Sequence, residues 1–305
     1  MKNRISEIGA VLSLALLPWT SVAAADLRFT ASDNGVEFAT GELSGKLHAG
    51  GKSVGLLPVV HTASGATLTR SMGLLSHYRV FANGKRYGGG AWEWPSEAKL
   101  QPDGSVEVHF PATGERRFEM WATYRLAGTA TIDVETRIRS EADLEGFEVF
   151  LASYFAAPFA SSRVYARNRQ GKPAFLAAEE SQGVWQMFPR DSSVLPLIQD
   201  GRWKLPPNPV DWVTRPLLAE PIGVRRDGAS GLTAILLSSR EDCFAVATPH
   251  QAEGHYSTYL SLFGRAIKAG ELARARARLV TAKSPTDKQI LDLHKAYLKQ
   301  TRRKR

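Results

Sequence analysis

The chain has 305 residues, one cysteine and a formal charge of +9. One unit of that charge lies in the first 25 residues and five lie in Lys299 to Arg305, leaving +3 on a body where acids and bases are interspersed, so a nucleic-acid partner is not expected. Cys243 alone excludes an intramolecular disulfide, and a chain of this length can bury a large core, so burial must hold the fold together.

Residues 1–25 read as a signal peptide. Lys2 and Arg4 precede the apolar run "IGAVLSLALLPW", and "SVAAA" supplies small residues suited to cleavage. The run is too short to span a bilayer, and no later segment is long and apolar enough to form a transmembrane helix. The expected mature protein is exported, to the periplasm or outside the cell.

The next segment, 26–283, reads as one β domain with no internal repeat and no linker. "SVEVHF" (105–110) and "TIDVETRIR" (131–139) alternate apolar and polar residues, while "FEMWATYRL" (118–126) and "FEVFLASYF" (147–155) are strand-length and rich in aromatics. "ELARARARLV" puts Arg274, Arg276 and Arg278 on one face, as in an antiparallel sheet with one wet side, where neighbouring acids can pair with them. Asn83-Gly84 and Asp103-Gly104 mark tight hairpins. No Gly-rich phosphate loop and no strand–helix alternation is present. In 284–305 the sequence predicts a C-terminal helix with Ser284 as N-cap, Pro285 in its first turn and an apolar stripe of Ile290, Leu293 and Tyr297, ending in a basic tail.

Four stretches carry candidate site residues. "GVWQMFPRDSSVLPLIQDGRWKLPPNPVDW" (183–212) holds Trp185, Trp203 and Trp212 among five prolines, with neither helical nor strand period. Such a long irregular insertion suits either a lid over the core or a groove, in which Arg190 and Asp191 would supply hydrogen-bonding groups. "SHYRVF" places His77 and Arg79 on one strand face and Tyr78 opposite; facing a groove, the pair could bind and polarise a ligand's carboxylate or ring oxygen. "GGGAWEWP" offers Trp92 and Trp94 on a shared face, with Glu93 as a possible acid. "TPHQAEGHYSTY" holds His250, Glu253 and His255, but Pro249 and Gly254 favour a loop over the helix that a metal site of this spacing needs, so no metal is expected. Proton transfer by His255 or Tyr256 is the better use of that stretch. No cofactor is implied.

At "FEMWATYRLAGTATIDVETRIRSEADLEGFEVFLASYF" the chain resembles galactose mutarotase-like (aldose 1-epimerase) domains, and "HYSTYLSLFGRAIKAGELARARARLV" is similar to their closing strands, with Ala269-Gly270-Glu271 at the turn before the last one. The resemblance implies an all-β supersandwich, a large antiparallel β-sandwich that binds carbohydrate. It does not imply mutarotation: the family's catalytic histidine directly precedes Ser-Tyr-Phe, and Ala152 stands there in this chain.

The expectation is therefore a saccharide-binding protein, its partner an oligo- or polysaccharide held by Trp92, Glu93, Trp94, Trp185, Arg190, Asp191, Trp203 and Trp212. If it turns its ligand over, metal-free acid–base chemistry of a lyase or epimerase type falls to His77, Tyr78, Arg79, His255 and Tyr256. The alternative is a non-catalytic binding or structural protein of the cell envelope. Convergence of His77 and His255 beside the tryptophans would favour turnover, and their separation leaves binding alone.

Overall fold

The computed structural model describes residues 27–302 apart from 33–34, 50–51 and 71. The signal-peptide expectation for 1–25 and the last three residues of the basic tail lie outside the described residues. Within them, the chain builds a nine-stranded sheet, a seven-stranded sheet and a smaller five-stranded sheet formed by Thr30–Thr67. Almost every neighbouring pair of strands is antiparallel; the short Val213–Thr214 runs parallel to Trp185–Pro189.

The alternating segments occupy the nine-stranded sheet. Val106–Phe110, Phe118–Gly128, Thr131–Ser140 and Leu272–Lys283 are consecutive neighbours in it. Their apolar residues, such as Val108, Met120, Val134 and Ala277, point into the core shared with the seven-stranded sheet. Their polar residues form the outer face. There the register sets Arg276 opposite Glu135 and Arg278 opposite Asp133, with Nε–carboxylate distances of 2.6 Å in both pairs. Arg276 and Arg278 are thus paired with acids of the adjacent strand, as the alternation suggests, whereas Arg274 stands opposite Arg137. The two sheets meet closely at Gly223, where a Cβ would lie 2.6 Å from Thr258 Cγ2, so the residue has to be glycine for this approach.

Asn83 and Gly84 form a two-residue hairpin between Ser76–Ala82 and Lys85–Arg86, with φ of 54° and 65°. Positive φ at both positions is what a type I′ turn demands, and Asn-Gly tolerates it. The terminal helix is Asp287–Arg302. Ser284 is not its N-cap: Ser284 sits before the helix with φ of 45°. Thr286 is the cap, since Gln289 N donates to Thr286 Oγ1 and Thr286 N donates back to Gln289 Oε1 at 2.8 Å. Ile290, His294 and Tyr297 are the buried stripe, with Leu293 only partly covered. They cover Ile222, Val224, Ile235 and Leu237 on the outer side of the nine-stranded sheet.

The seven-stranded sheet carries a second apolar cluster on its own outer side. Phe81, Phe150, Ala152, Tyr154, Ala247 and Tyr259 project there from the strands. The 183–212 segment covers them. It begins as the strand Trp185–Pro189, antiparallel to Cys243–Pro249, and continues as the short helical turns Ser192–Val194, Leu195–Gln199 and Arg202–Lys204. The expected irregularity therefore begins only after Pro189.

Candidate functional site

A β-bulge creates the site's floor. In Ser76–Ala82 against Leu144–Tyr154, Val80 pairs with Val149 and His77 pairs with Leu151. Phe150 alone therefore opposes two residues, Tyr78 and Arg79, and both project to the outer side. The alternation read from the sequence fails here. His77 points the other way, into the core between the sheets, where its Nε2 lies 2.8 Å from Thr136 Oγ1 and its ring 6.2 Å from that of Phe110. Burial lowers the His77 pKa to about 3, so the ring is neutral.

Over this floor the 183–212 segment leaves a cleft of about 360 Å3 lined by seven aromatic rings. Tyr78, Phe150, Tyr154 and Tyr259 come from the sheet; Trp185, Trp203 and Trp212 come from the covering segment. The rings hold one another: Phe150 stacks on Tyr259 at 4.5 Å, and Trp203 meets Phe150 edge-on at 4.5 Å and Trp212 at 5.4 Å. Trp92 stacks on Tyr78 from behind at 4.1 Å and supports the wall without lining the cleft. His255 enters at one side, 5.1 Å from Trp185 edge-on, with Nδ1 2.7 Å from Glu253 Oε1.

The polar groups are few. Tyr259 OH accepts from Ser257 Oγ at 2.7 Å and donates to Tyr154 OH at 3.4 Å. Burial pushes Tyr259 up to about 12 and raises Tyr154 as well, so both phenols are neutral donors rather than bases. Arg79 is 3% exposed, lies 5.1 Å over Tyr78 and 5.0 Å over Trp203, and donates from Nη2 to the Asn208 carbonyl at 2.6 Å. The Nε1 atoms of Trp203 and Trp212, and Nε and Nη1 of Arg79, are buried with no hydrogen-bond partner. Among the described residues no Asp or Glu lines the cleft.

The structure brings together Tyr78, Arg79, Trp185, Trp203, Trp212 and His255 from the sequence-predicted set. It separates the others. His77 faces the inter-sheet core. Tyr256, with φ of 47°, packs its ring partly buried against that same core rather than into the cleft. The 3-10 turn Ala91–Glu93 breaks the shared face of the tryptophans: Trp94 joins the inter-sheet core, with the Arg116 guanidinium 3.7 Å over its ring, and Glu93 is exposed. Arg190 and Asp191 bond to each other at 2.8 Å and anchor the segment, Arg190 to the Arg240 carbonyl and Asp191 to Ser193 N. Tyr154 and Tyr259 are cleft residues that the sequence did not single out, as is Phe150 between them and the covering segment. The alternation of Phe150, Ala152 and Tyr154 carried the signal for the first, and the pairing of Ala152 with Tyr259 places the second beside it. Ala152, paired with Tyr259, thus faces the cleft side of the sheet.

The three sheets and the C-terminal helix together have the galactose mutarotase-like fold. Solved structures agree at low identity. The Slr1438 protein of Synechocystis is 12% identical with a TM-score of 0.51, covering 90% of this chain and 100% of its own. A galactose mutarotase related enzyme from Lactobacillus acidophilus is 10% identical with a TM-score of 0.51, covering 82% and 98%. The alpha-N-acetylgalactosaminidase NagBb of Bifidobacterium bifidum, solved as a GalNAc complex, is 10% identical with a TM-score of 0.53; the match covers 87% of this chain and 39% of that enzyme. No protein-family model matches the sequence, and no curated protein matches it.

Proposed function

We propose that the protein is an exported saccharide-binding protein whose ligand lies in the aromatic cleft. The observation that carries this reading is the combination of stacked rings with unmet donors. A pyranose offers apolar C–H faces for Tyr78, Trp203 and Trp212, and hydroxyl oxygens for the N–H groups of Trp203, Trp212 and Arg79 that have no partner. The fold neighbours support it, since they include an enzyme related to galactose mutarotase and one solved with GalNAc.

Binding is preferred over turnover because His77 and His255 do not share a site. Without His77 the paired acid–base arrangement is lost, and with no carboxylate on the lining the two-carboxylate route of glycosidases has no participants. Of the residues expected to carry turnover, Tyr78, Arg79 and His255, which Glu253 orients, remain in the cleft. Titration of the mature chain with a glycan panel, followed by tryptophan fluorescence, tests the proposal. A saturable change that Trp212→Ala weakens about tenfold supports it, and silence toward every neutral and acidic glycan overturns it. Export is checked separately, by N-terminal sequencing of the protein recovered outside the cytoplasm: cleavage near residue 25 is expected.

A further inference from the structure

Arg79 is the anomaly of the cleft. A guanidinium cannot shed its charge, and taking it out of water is costly unless an anion and hydrogen bonds compensate. Here it lies between the rings of Tyr78 and Trp203, and its acceptors among the described residues are neutral: the Asn208 carbonyl at 2.6 Å and the Tyr78 hydroxyl at 3.5 Å. Its Nε and Nη1 are buried and unbonded. A second guanidinium, Arg86, lies 5.9 Å from the same Tyr78 ring, and its acceptors are again neutral: the carbonyls of Leu205, Pro207 and Gly89 and the Tyr78 hydroxyl. Burial first, and then repulsion from Arg79, lowers the Arg86 pKa. Glu93 offsets this in part, but it is exposed and does not line the cleft. Contrast Arg202, buried just as deeply, which has both Glu148 and Asp200 as partners.

We propose that the cleft selects an acidic saccharide, a uronate whose carboxylate docks on the Arg79 guanidinium while its ring lies among the surrounding aromatics. The inference rests on the saccharide-binding reading of the same cleft and adds the class of sugar. The planar guanidinium fork matches a planar carboxylate, and in a cleft walled by aromatic rings such a charge-assisted contact is stronger than in water. The ligand supplies the missing counter-ion and so removes a cost already present in the free protein.

The test compares ligands that differ only in the carboxylate. Trisaccharides of galacturonate, glucuronate, mannuronate and guluronate are titrated calorimetrically into the mature full-length protein, each beside its carboxyl-reduced, neutral counterpart. At least one uronate is expected to bind roughly tenfold or more tightly than its reduced form. Arg79→Met is expected to erase that preference while retaining native near-ultraviolet circular dichroism. Arg79→Lys keeps the charge without the fork and is expected to fall between the two. Equal affinity for acid and reduced forms on the wild-type chain overturns the inference and leaves the saccharide site standing, whether or not the variants fold. A preference that survives in Arg79→Met also overturns it, by placing the attraction on the basic surface instead. If no member of either series binds, both readings fall.

Discussion

His77→Gln separates a core histidine from a catalytic one. In the native state the imidazole is sealed between the sheets with Thr136 Oγ1 as its hydrogen-bond partner and no acid beside it, and burial holds its pKa at about 3 against an ordinary 6.5. A lowered folded-state value means that the folded protein resists the proton while the unfolded chain accepts it. His77 therefore costs nothing above pH 6.5 and destabilises progressively as pH falls from there toward 3. Each pH unit in that window is worth about 1.4 kcal/mol, so near pH 4.5 the penalty reaches about 3 kcal/mol, a sizeable share of a typical 5–15 kcal/mol stability. Glutamine can keep the bond to Thr136 and does not titrate. Its own repacking cost is independent of pH. Urea unfolding of wild type and His77→Gln across about pH 7.5 to 4.5 should show the variant less stable at neutral pH, with the gap closing or reversing in acid. Other titrating groups cancel in the difference. Parallel pH dependence of the two proteins would refute the assignment. Ligand affinity at neutral pH should be unchanged, because the side chain points away from the cleft.

Three further outcomes follow from the packing. Trp203, 3% exposed, and half-buried Trp212 should divide stability from binding: Trp203→Ala is expected to cost about 3–5 kcal/mol in thermal or urea unfolding, whereas Trp212→Ala should cost less and weaken saccharide binding about tenfold in the fluorescence titration. Gly223→Ala should destabilise by about 1–3 kcal/mol through its clash with Thr258 Cγ2, and Thr258→Ser, which removes that methyl, should recover part of the loss in a double-mutant cycle. Thr286→Ala should cost about 1 kcal/mol through the lost cap, while deletion from residue 287 onward should give an aggregating protein, seen by light scattering, because Ile222, Val224, Ile235 and Leu237 lose their cover.

Much of the fold was legible in the sequence because period-two alternation reports burial directly when one sheet face is wet. Val106–Phe110, Thr131–Ser140 and the arginine strand Leu272–Lys283 are of this kind, and Asn83-Gly84 declares its own turn. The aromatic wealth of 183–212 also announced a covered surface, and its three tryptophans do meet. Three things were settled only by tertiary structure. One extra residue at Tyr78–Arg79 reverses the face of everything beyond it, and a bulge leaves no mark in a heptapeptide that alternates plausibly either way. The 3-10 turn at Ala91–Glu93 sends Trp92 and Trp94 to different cores, although their spacing suits a strand. The cleft itself is a relation between residues far apart in the chain, Arg79, Tyr154, Trp203 and Tyr259, and composition fixes which side chains are available without fixing which of them share a surface. The sequence determined the strands and the stock of rings; the pairing of strands decided that one buried arginine should lie among those rings, in a cleft whose described lining holds no acid.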